Sequence, residues 1–237
     1  MKNPRKIVVF TGAGISAESG ISTFRDSGGL WEKFQIEDVA TPEAWEKNPR
    51  LVLDFYNERR RQVMEAKPNA AHLALAGLEK KFDVQIITQN VDDLHERAGS
   101  KNVLHLHGEI RKARSSKNPL HIYPVKGWEI RFGDKCENGS QLRPHIVWFG
   151  EMVPEMDRAQ EIAATADIFI IVGTSLNVYP AAGLVHATRH GCAVYLVDPN
   201  DVNDSGIKNL VFIREPAGKG VPLIVERLLN GELVIGH

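Results

Sequence analysis

Short runs of apolar residues, many of them β-branched, recur along this chain, and most are separated by stretches in which apolar positions have helical spacing. Seven of these runs are predicted to be strands, at residues 7–10, 84–88, 103–107, 146–149, 168–172, 194–197 and 210–213. Alternation of short apolar strands with helices is typical of a parallel sheet that has helices on both faces. The pattern therefore predicts an α/β fold with a doubly wound, Rossmann-like parallel sheet.

Two segments interrupt this alternation. Residues 35–79 have helical patterns without a strand, and residues 111–142 are polar, irregular and rich in Lys, Ser, Asn and Gly. We interpret both as insertions that form a smaller lobe of a single catalytic domain, residues 1–237. The larger, Rossmann-like lobe would then comprise residues 1–34, 80–110 and 143–237. Ligands of α/β proteins usually bind at the carboxyl edge of the sheet, so the cleft between this edge and the inserted lobe is the expected site.

The charge balance and the cysteine count exclude several classes of function. Lys and Arg total 29 against 30 Asp and Glu, and this formal net charge of -1 indicates no broad attraction to nucleic acid or to an acidic membrane. The two cysteines, Cys136 and Cys192, are too few for a disulfide framework and are compatible with a reducing cytosol. No apolar run approaches the roughly 20 residues that span a bilayer. The run after the basic N-terminus is too short for a signal peptide, so we expect a cytoplasmic protein.

A glycine-rich turn directly follows the first predicted strand, with the sequence TGAGISA at residues 11–17. The glycines of such a GxGxxA turn allow a tight bend and let backbone N–H groups approach a pyrophosphate at the start of a helix. An ordinary strand-to-helix turn could have similar residues. A dehydrogenase would continue into a second strand that ends in an acidic residue about 20 positions later. Here a polar loop, ESGISTFRDSGGLW, follows instead, which disfavours a hydride-transfer enzyme.

Residues suited to catalysis follow the next two predicted strands. The segment TQNVDDLH spans residues 88–95, and its Asn90 and Asp92 would also suit the cap and first turn of a helix. The strand at 103–107 ends in His107 and Gly108, and strand alternation places a second histidine, at position 105, on the same face. Periodicity alone cannot choose between the two, but the glycine after His107 allows a ligand to approach closely. A lone histidine is more often structural than catalytic, and we keep that interpretation for His72, His95, His105, His121 and His145.

These motifs, in this order, resemble those of the sirtuins, a family of NAD-dependent protein lysine deacylases. The segments GAGISAESGISTFRDSGGLW, TQNVDD and HG carry the resemblance, which extends from residue 7 to about residue 229. The sequence is most similar to the bacterial desuccinylase and deacetylase branch. It departs from the family at Ser22, where members commonly have Pro or Arg. The resemblance implies that NAD is a consumed co-substrate and that acylated-lysine proteins or peptides are the partners.

The resemblance also assigns residues to the NAD site. Those that would contact the phosphates and the nicotinamide ribose lie in and after the first turn: Gly12, Ala13, Gly14, Ala17, Phe24, Arg25 and Trp31. The TQNVDD segment would line the ribose and nicotinamide pocket with Gln89, Asn90 and Asp92, and the last two would also take part in catalysis. On the adenosine side the family uses a glycine turn, which corresponds here to Gly173, Thr174 and Ser175. It also uses a polar residue at a strand end, here Asp198 or Asn200, and a backbone contact with adenine, here at Ala217.

The chemistry of the family assigns the role of general base to His107. The carbonyl oxygen of the acyl-lysine amide attacks C1′ of the nicotinamide ribose, and nicotinamide leaves. A ribose hydroxyl must then lose its proton to continue the reaction, and a histidine with a pKa near neutrality suits that step. The implied products are the free lysine, nicotinamide and an O-acyl-ADP-ribose. Mono-ADP-ribosyl transfer uses the same residues, and a non-catalytic NAD or ADP-ribose binding module is a further alternative.

One helical segment is a candidate for the site of the acyl group. Its spacing places Tyr56 and Arg59 on one inward face together with Val52, Phe55 and Val63, whereas Arg60 and Arg61 are expected to be solvated. From spacing alone, Arg59 would reach water or meet a structural carboxylate. However, Tyr-x-x-Arg at this place resembles the pair with which the desuccinylase branch holds a carboxylate. The resemblance therefore predicts a preference for succinyl or malonyl groups over acetyl.

A second segment is a candidate for the site of the substrate peptide. Val147, Phe149 and Gly150 belong to a segment that resembles the one with which the family pairs the peptide as an added strand. A buried strand end would show the same pattern.

No structural zinc is expected, in contrast to most sirtuins. The family usually carries two CxxC pairs after the catalytic histidine, and these form a closed tetrahedral thiolate site. The corresponding insertion here contains a single thiol, Cys136, and recruiting His121 would still leave too few ligands. An apolar cluster is predicted to replace the metal, formed by Tyr123, Trp128, Ile130 and Phe132.

Overall fold

The computed structural model describes residues 5–21, 34–176, 178–202 and 206–232. The strands within these ranges are β1 (Lys6–Thr11), β2 (Asp83–Thr88), β3 (Val103–His105), β4 (Gly108–Ser115), β5 (Ile122–Pro124), β6 (Leu142–Ile146), β7 (Ile168–Val172), β8 (Ala193–Val197) and β9 (Leu210–Ile213). Six of them form a parallel sheet in the order β3-β2-β1-β7-β8-β9, and three form an antiparallel sheet in the order β5-β4-β6. The predicted α/β class with a doubly wound parallel sheet is therefore confirmed.

The helices of the described ranges are α1 (Gly14–Ala17), α2 (Ile36–Val39), α3 (Pro42–Lys47), α4 (Pro49–Glu65), α5 (Ala70–Leu78), α6 (Leu94–Ala98), α7 (Met156–Ala164) and α8 (Ala217–Leu229), with a 3-10 helix at Ala181–Ala187. Side-chain caps explain three of the starts. Thr41 accepts a hydrogen bond from the Ala44 N–H, Asn48 from the Leu51 N–H, and Asn69 from the Ala71 N–H. None of these helices is long and apolar enough to cross a membrane.

Both faces of the parallel sheet are covered by helices. Alternate strand residues such as Ile7, Ile86 and Ile170 pack against α5 and α8, and their neighbours Val8, Ile87 and Ile171 pack against α7 and the 3-10 helix. All residues of β7 and β8 are buried. Burial on both faces explains why these strands read as continuous apolar runs rather than as alternating ones.

The strand predicted at residues 146–149 is wrong as a member of the parallel sheet. The strand here is β6, which ends at Ile146 and pairs with β4 in the antiparallel sheet. The segment 111–142, which is irregular in sequence, contributes most of β4 and all of β5 to the same sheet. An antiparallel sheet with one solvent-exposed face contains many polar residues. Its strands pair with residues far away in the sequence, so the segment shows no clear local periodicity.

Arg60 is buried, and the expectation that it is solvated is wrong. Its side chain is 0% exposed, Nε donates to the Ile110 carbonyl at 2.5 Å, and Nη1 donates to the Asn57 side chain and to the Trp128 carbonyl, both at 2.8 Å. Asn57 in turn bonds the backbone N–H and carbonyl of Ile130. Helix α4 therefore packs on two sides, with Tyr56 on one face and Asn57 and Arg60 against the antiparallel sheet and the loop that follows β5.

We expect the protein to lose stability in mild acid, because two of its buried histidines resist protonation in the folded state. Burial lowers the pKa of His72 to about 4 and that of His95 well below its usual value. Below about pH 6.5 the unfolded chain binds protons that the folded chain excludes, so the free energy of unfolding should fall by up to about 1.4 kcal/mol per pH unit for each histidine. Urea unfolding at several values between about pH 7.5 and about pH 5 measures this slope.

His72→Gln is the comparison for this measurement, because it removes one of the buried histidines whose pKa is lowered. The variant should lose stability less steeply as the pH falls. A wild-type protein equally stable at both ends of the range would contradict the prediction.

Candidate active site

Two glycine turns interlock at the carboxyl ends of the neighbouring strands β1 and β7. The Gly12 N–H donates to the Val172 carbonyl at 3.0 Å, and the Gly14 N–H donates to the Gly173 carbonyl at 2.9 Å. A Cβ added to Gly12 would lie 2.7 Å from the Gly173 oxygen, and one added to Gly173, which has a φ of +62°, would lie 2.4 Å from the Ile15 nitrogen. Only glycine fits this approach. The turn predicted to bind phosphate and the turn predicted for the adenosine side are thus brought together.

Asn90 is held against the first turn by nearly all of its polar groups. Its Nδ2 donates to the Gly12 carbonyl at 3.0 Å and to the Ser16 hydroxyl at 3.1 Å, and its backbone N–H donates to the Thr88 hydroxyl at 3.0 Å. Its Oδ1 makes no hydrogen bond with any described residue. This oxygen is therefore the acceptor that Asn90 has left for a ligand.

Asp92 lies beside Asn90 and is also buried. One of its carboxylate oxygens accepts the Ser16 hydroxyl at 3.0 Å, and the other accepts the Leu94 N–H at 3.1 Å. Burial raises the pKa of Asp92, although these two hydrogen bonds oppose the shift. Ser16, which sequence reasoning missed, connects Asn90 to Asp92.

His107 reaches the same edge of the sheet, just beyond the end of β3. Its Nδ1 lies 3.1 Å from the Gln89 carbonyl, and since a carbonyl only accepts, Nδ1 must carry the proton. Burial lowers the pKa of His107, so the ring is neutral at pH 7 and Nε2 carries a lone pair. Nε2 makes no hydrogen bond with the described residues. The geometry thus presents a neutral imidazole base.

Gln89 links this histidine to the second glycine turn. Its side-chain oxygen accepts the Thr174 hydroxyl at 3.1 Å, and its backbone N–H donates to the Thr11 carbonyl at 2.9 Å. Ser175, next to Thr174, is half-buried, as are Ala13 and Ala17 of the first turn. Predicted contacts from three strand ends therefore converge on one cleft.

The candidates for the adenosine side lie at the end of β8 and the start of α8. Asp198 is buried, and its Oδ1 accepts both the backbone N–H of Asn200 at 2.9 Å and the Asn200 side chain at 3.2 Å. Asn200 is exposed. Ala217 is buried at the first turn of α8, where Glu18, which sequence reasoning did not select, accepts the Gly218 N–H at 2.6 Å. Phe24, Arg25 and Trp31, also expected in this site, lie outside the described residues.

The segment proposed to pair with a peptide follows β6 and is bonded to His107 and Ala40. The Val147 N–H donates to the His107 carbonyl at 2.9 Å, and the Phe149 N–H donates to the Ala40 carbonyl at 3.0 Å. Phe149 and Gly150 are exposed. The segment therefore connects the candidate base to Ala40, the residue that follows α2.

Glu151 fixes the end of this segment and was not singled out in the sequence. Its carboxylate accepts the Trp148 N–H at 2.8 Å and is bound by Arg114 and Arg143 at about 3 Å. The Arg143 guanidinium lies 3.2 Å from the centre of the Trp148 ring. Arg114 is 37 residues from Glu151 in sequence, so no local pattern indicated that contact.

Tyr56 and Arg59 lie on one face of α4 beside this tryptophan. Tyr56 is buried, with its ring centre 6.5 Å from that of Trp148. Burial raises the pKa of Tyr56 to about 12, although the positive charge of Arg59 opposes the shift. Burial also lowers the pKa of Arg59, while the acidic groups of Tyr56 and Asp92 act in the opposite direction. A partly desolvated cation and a buried phenol thus stand together near Asp92.

A further set of buried polar residues lies next to these site residues, at the ends of β1 and β2. The Thr11 hydroxyl donates to the Thr88 hydroxyl at 2.8 Å, and His95 Nε2 lies 3.1 Å from the Thr11 oxygen. His72 packs edge-on against His95, with ring centres 4.9 Å apart. These contacts agree with the structural interpretation of His72 and His95.

The region where most sirtuins would carry zinc contains a hydrogen-bonded serine pair. The Ser140 hydroxyl lies 2.6 Å from the Ser115 hydroxyl and 3.0 Å from the Cys136 sulfur. Among the described residues no three His, Cys, Asp or Glu side chains are grouped so that they could hold a metal ion. The apolar cluster predicted here is wrong, because Ile130 is buried but Trp128 and Phe132 are exposed and Tyr123 bonds Glu137. Trp128 and Phe132 lie instead beneath the guanidinium groups of Arg61 and Arg50.

The donor set of this region predicts that chelation leaves the fold intact. The melting temperature of the purified protein should not change after exhaustive treatment with EDTA, because the Ser115 and Ser140 hydroxyls and the antiparallel sheet hold the lobe without a metal. Elemental analysis of the same sample checks the zinc content. One tightly held zinc per chain, or a large drop in melting temperature on chelation, would overturn this prediction.

Comparison with known proteins identifies a matching family, similar sequences and similar solved structures. The description of the Sir2 family matches residues 12–180. A protein of Bacteroides thetaiotaomicron named NAD-dependent protein deacylase is 53% identical over 234 residues, which cover 97% of this chain and 99% of that protein. A solved mutant Sir2 homologue in complex with ADP ribose has a TM-score of 0.88 and 41% identity, and covers 96% of this chain and 93% of its own. A Sir2 structure bound to acetylated peptide has a TM-score of 0.78 and 32% identity, and covers 94% and 93%.

Proposed function

This chain belongs to the Sir2 family, and from that premise we propose that it removes acyl groups from protein lysines while consuming NAD. The observation that carries the proposal is the convergence of Gly12, Asn90, Asp92 and His107 on one edge of the parallel sheet. The relative named NAD-dependent protein deacylase matches nearly the whole chain, and similar solved structures contain ADP ribose or an acetylated peptide.

The residues present fit NAD as the co-substrate. The turns of Gly12, Ala13 and Gly14 and of Gly173, Thr174 and Ser175 pack so closely that a Cβ on Gly12, Gly14 or Gly173 would clash with the opposite turn. Both turns thus lie together at the strand ends, where backbone N–H groups could meet a pyrophosphate. Asp198 and Asn200 would hold the adenosine ribose, and Ala217 would contact the adenine. When bound, NAD supplies an electrophilic carbon, C1′ of its nicotinamide ribose, to the acyl oxygen.

Asn90 and Asp92 would orient the nicotinamide ribose and the nicotinamide. Asn90 Oδ1, which has no partner among the described residues, can accept a ribose hydroxyl. Asp92 bonds Ser16 and the start of α6, and its negative charge favours the cationic form of Arg59 by raising its pKa. Together with Gln89 these residues would line the ribose and nicotinamide pocket.

His107 would act as the general base that accepts a proton from a ribose hydroxyl. The Gln89 carbonyl fixes the proton on Nδ1, so the lone pair of Nε2 points away from the backbone contact. Because burial lowers its pKa, the ring remains neutral at pH 7 and can accept a proton there.

We propose further that the acyl group carries its own carboxylate, as in succinyl- or malonyl-lysine. Tyr56 and Arg59 stand on one face of α4, and the Arg59 guanidinium is partly desolvated, which strengthens its attraction for a carboxylate. The substrate peptide would lie along Val147, Phe149 and Gly150, whose first residue is bonded to the His107 carbonyl. Acetyl-lysine remains a poorer substrate in this proposal.

One experiment tests the activity and separates it from the alternatives. Acetyl-, malonyl- and succinyl-lysine versions of one peptide are incubated with the protein and NAD, and all products are measured by mass spectrometry. Deacylation predicts free lysine peptide, nicotinamide and O-acyl-ADP-ribose in equal amounts. Peptide that gains ADP-ribose would indicate ADP-ribosyl transfer, appearance of NADH would indicate hydride transfer, and bound NAD without nicotinamide release would indicate a binding module.

A further inference from the structure

His105 faces two hydrogen-bond acceptors, one at each nitrogen of its ring. Its Nδ1 lies 2.9 Å from the backbone carbonyl of Asn90, and its Nε2 lies 2.8 Å from a carboxylate oxygen of Glu96 on α6. The His105 side chain is only 8% exposed, so water does not replace either contact freely. His107 is arranged similarly, because its Nδ1 contacts the carbonyl of Gln89, the residue before Asn90.

Two acceptors around one imidazole decide its protonation state. A neutral imidazole has one N–H, whereas an imidazolium has two, and carbonyl and carboxylate oxygens cannot donate. We propose that His105, held as a cation by Glu96, is a positioning residue that fixes the Asn90 carbonyl and thereby the Asn90–Asp92 turn in its active geometry. The inference rests on the proposed function, in which that turn orients NAD.

The remaining contacts of Asn90 show why this carbonyl matters. The Asn90 N–H is bonded to Thr88, and its side-chain amide is bonded to Gly12 and Ser16. The carbonyl belongs to the peptide plane between Asn90 and Val91, so the bond from His105 fixes the orientation of that plane. A rotation of this plane would move Asn90 Oδ1 and the Asp92 carboxylate relative to the ribose.

Loss of the proton from His105 would disrupt this contact in a defined way. A charge-assisted hydrogen bond to a carboxylate is stronger than a bond to a backbone carbonyl, so the single remaining proton would stay on Nε2 beside Glu96. The Nδ1 lone pair would then face the lone pairs of the Asn90 oxygen at 2.9 Å. That repulsion would displace the turn without unfolding the sheet behind it.

The charged groups around His105 come from three elements and favour the cation. Burial lowers the pKa of His105, but the hydrogen bonds to Glu96 and Asn90 and the negative charges of Glu96 and Glu109 together outweigh burial and raise it. Glu109 also pairs with Lys112 on β4, and Lys112 acts on Glu96. The charge of His105 also lowers the pKa of Asp92 and that of His95, so both groups interact with it electrostatically.

His105 and His107 therefore set opposite limits on activity. The His107 ring must be neutral to accept a proton, so the rate should fall as the pH drops through its lowered pKa. The His105 ring must be charged to hold Asn90, so the rate should also fall as the pH rises through its raised pKa, above about 6.5. A bell-shaped profile of kcat follows, with a separate histidine responsible for each side.

The test compares pH profiles of deacylation for the wild type, Glu96→Gln, His105→Gln and a matched control, His190→Gln, whose histidine is exposed. Glu96→Gln should move the alkaline fall of kcat to lower pH, because it removes the carboxylate that stabilises the cation. His105→Gln should abolish that fall and lower kcat by roughly tenfold, the effect of one lost charge-assisted hydrogen bond. The control should reproduce the wild-type profile, and melting temperatures should show that all variants are folded.

A spectroscopic measurement decides the inference even without turnover. Imidazole nitrogen shifts, assigned by comparison with His105→Gln, should show that His105 keeps protons on both nitrogens to a higher pH than an ordinary histidine. Loss of one of these protons below about pH 6.5, or an alkaline limb unchanged in His105→Gln, would overturn the inference. Wild-type protein that never deacylates would instead refute the proposed function, and the nitrogen shifts would still report on His105.

Discussion

His107→Ala should lower the rate of deacylation by about 10²- to 10⁴-fold, the usual contribution of a general base, and leave the affinity for NAD within a few-fold of the wild type. The structure explains the size of this effect, because His107 presents a neutral Nε2 while its Nδ1 is fixed by the Gln89 carbonyl. The described backbone of the two glycine turns, which would hold most of NAD, does not depend on this side chain. Single-turnover rates and calorimetric titration with NAD measure the two quantities separately.

His186→Ala is a matched control, because that histidine is exposed on the 3-10 helix. It should retain wild-type turnover. A His107→Ala variant with near-normal turnover would remove His107 from the mechanism, and one that no longer binds NAD would indicate a structural role instead.

The second large effect is expected in the choice of acyl group. The wild type should use a succinyl-lysine peptide with a kcat/KM roughly 10- to 100-fold higher than the acetyl version, since a hydrogen bond to a charged group contributes roughly 1.5–3 kcal/mol that acetyl cannot recover. Arg59→Met should abolish most of this preference by lowering succinyl kcat/KM, because it keeps the length of the side chain and removes the guanidinium. Tyr56→Phe, which removes only the hydroxyl, should have a smaller effect in the same direction.

Arg61→Met provides the control on the same helix. Arg61 is 49% exposed and pairs with Glu58, so its removal should leave the preference unchanged. Arg60 is unsuitable, since it is buried between α4 and the antiparallel sheet. Equal efficiency towards both peptides in the wild type, or a preference unaffected by Arg59→Met, would refute the carboxylate clamp.

The sequence by itself determined those features that depend on neighbouring residues. Continuous apolar runs such as Ile168–Val172 predict buried strands, because a strand covered on both faces needs apolar side chains at every position. Gly12 and Gly14 predict a close backbone approach, because only residues without a Cβ permit it. The resemblance of short motifs then indicated the family and the roles proposed for Asn90, Asp92 and His107.

Only the tertiary structure decided which side chains are buried and which residues they contact. Arg60 and Arg61 are adjacent in sequence, yet one is buried by the loop that follows β5 and the other is exposed, and helical spacing carries no record of that loop. The sequence pattern treats His105 and His107 alike, but in the structure only His105 contacts Glu96. Contacts such as these join residues far apart in the chain and depend on which elements pack together, so local periodicity cannot encode them.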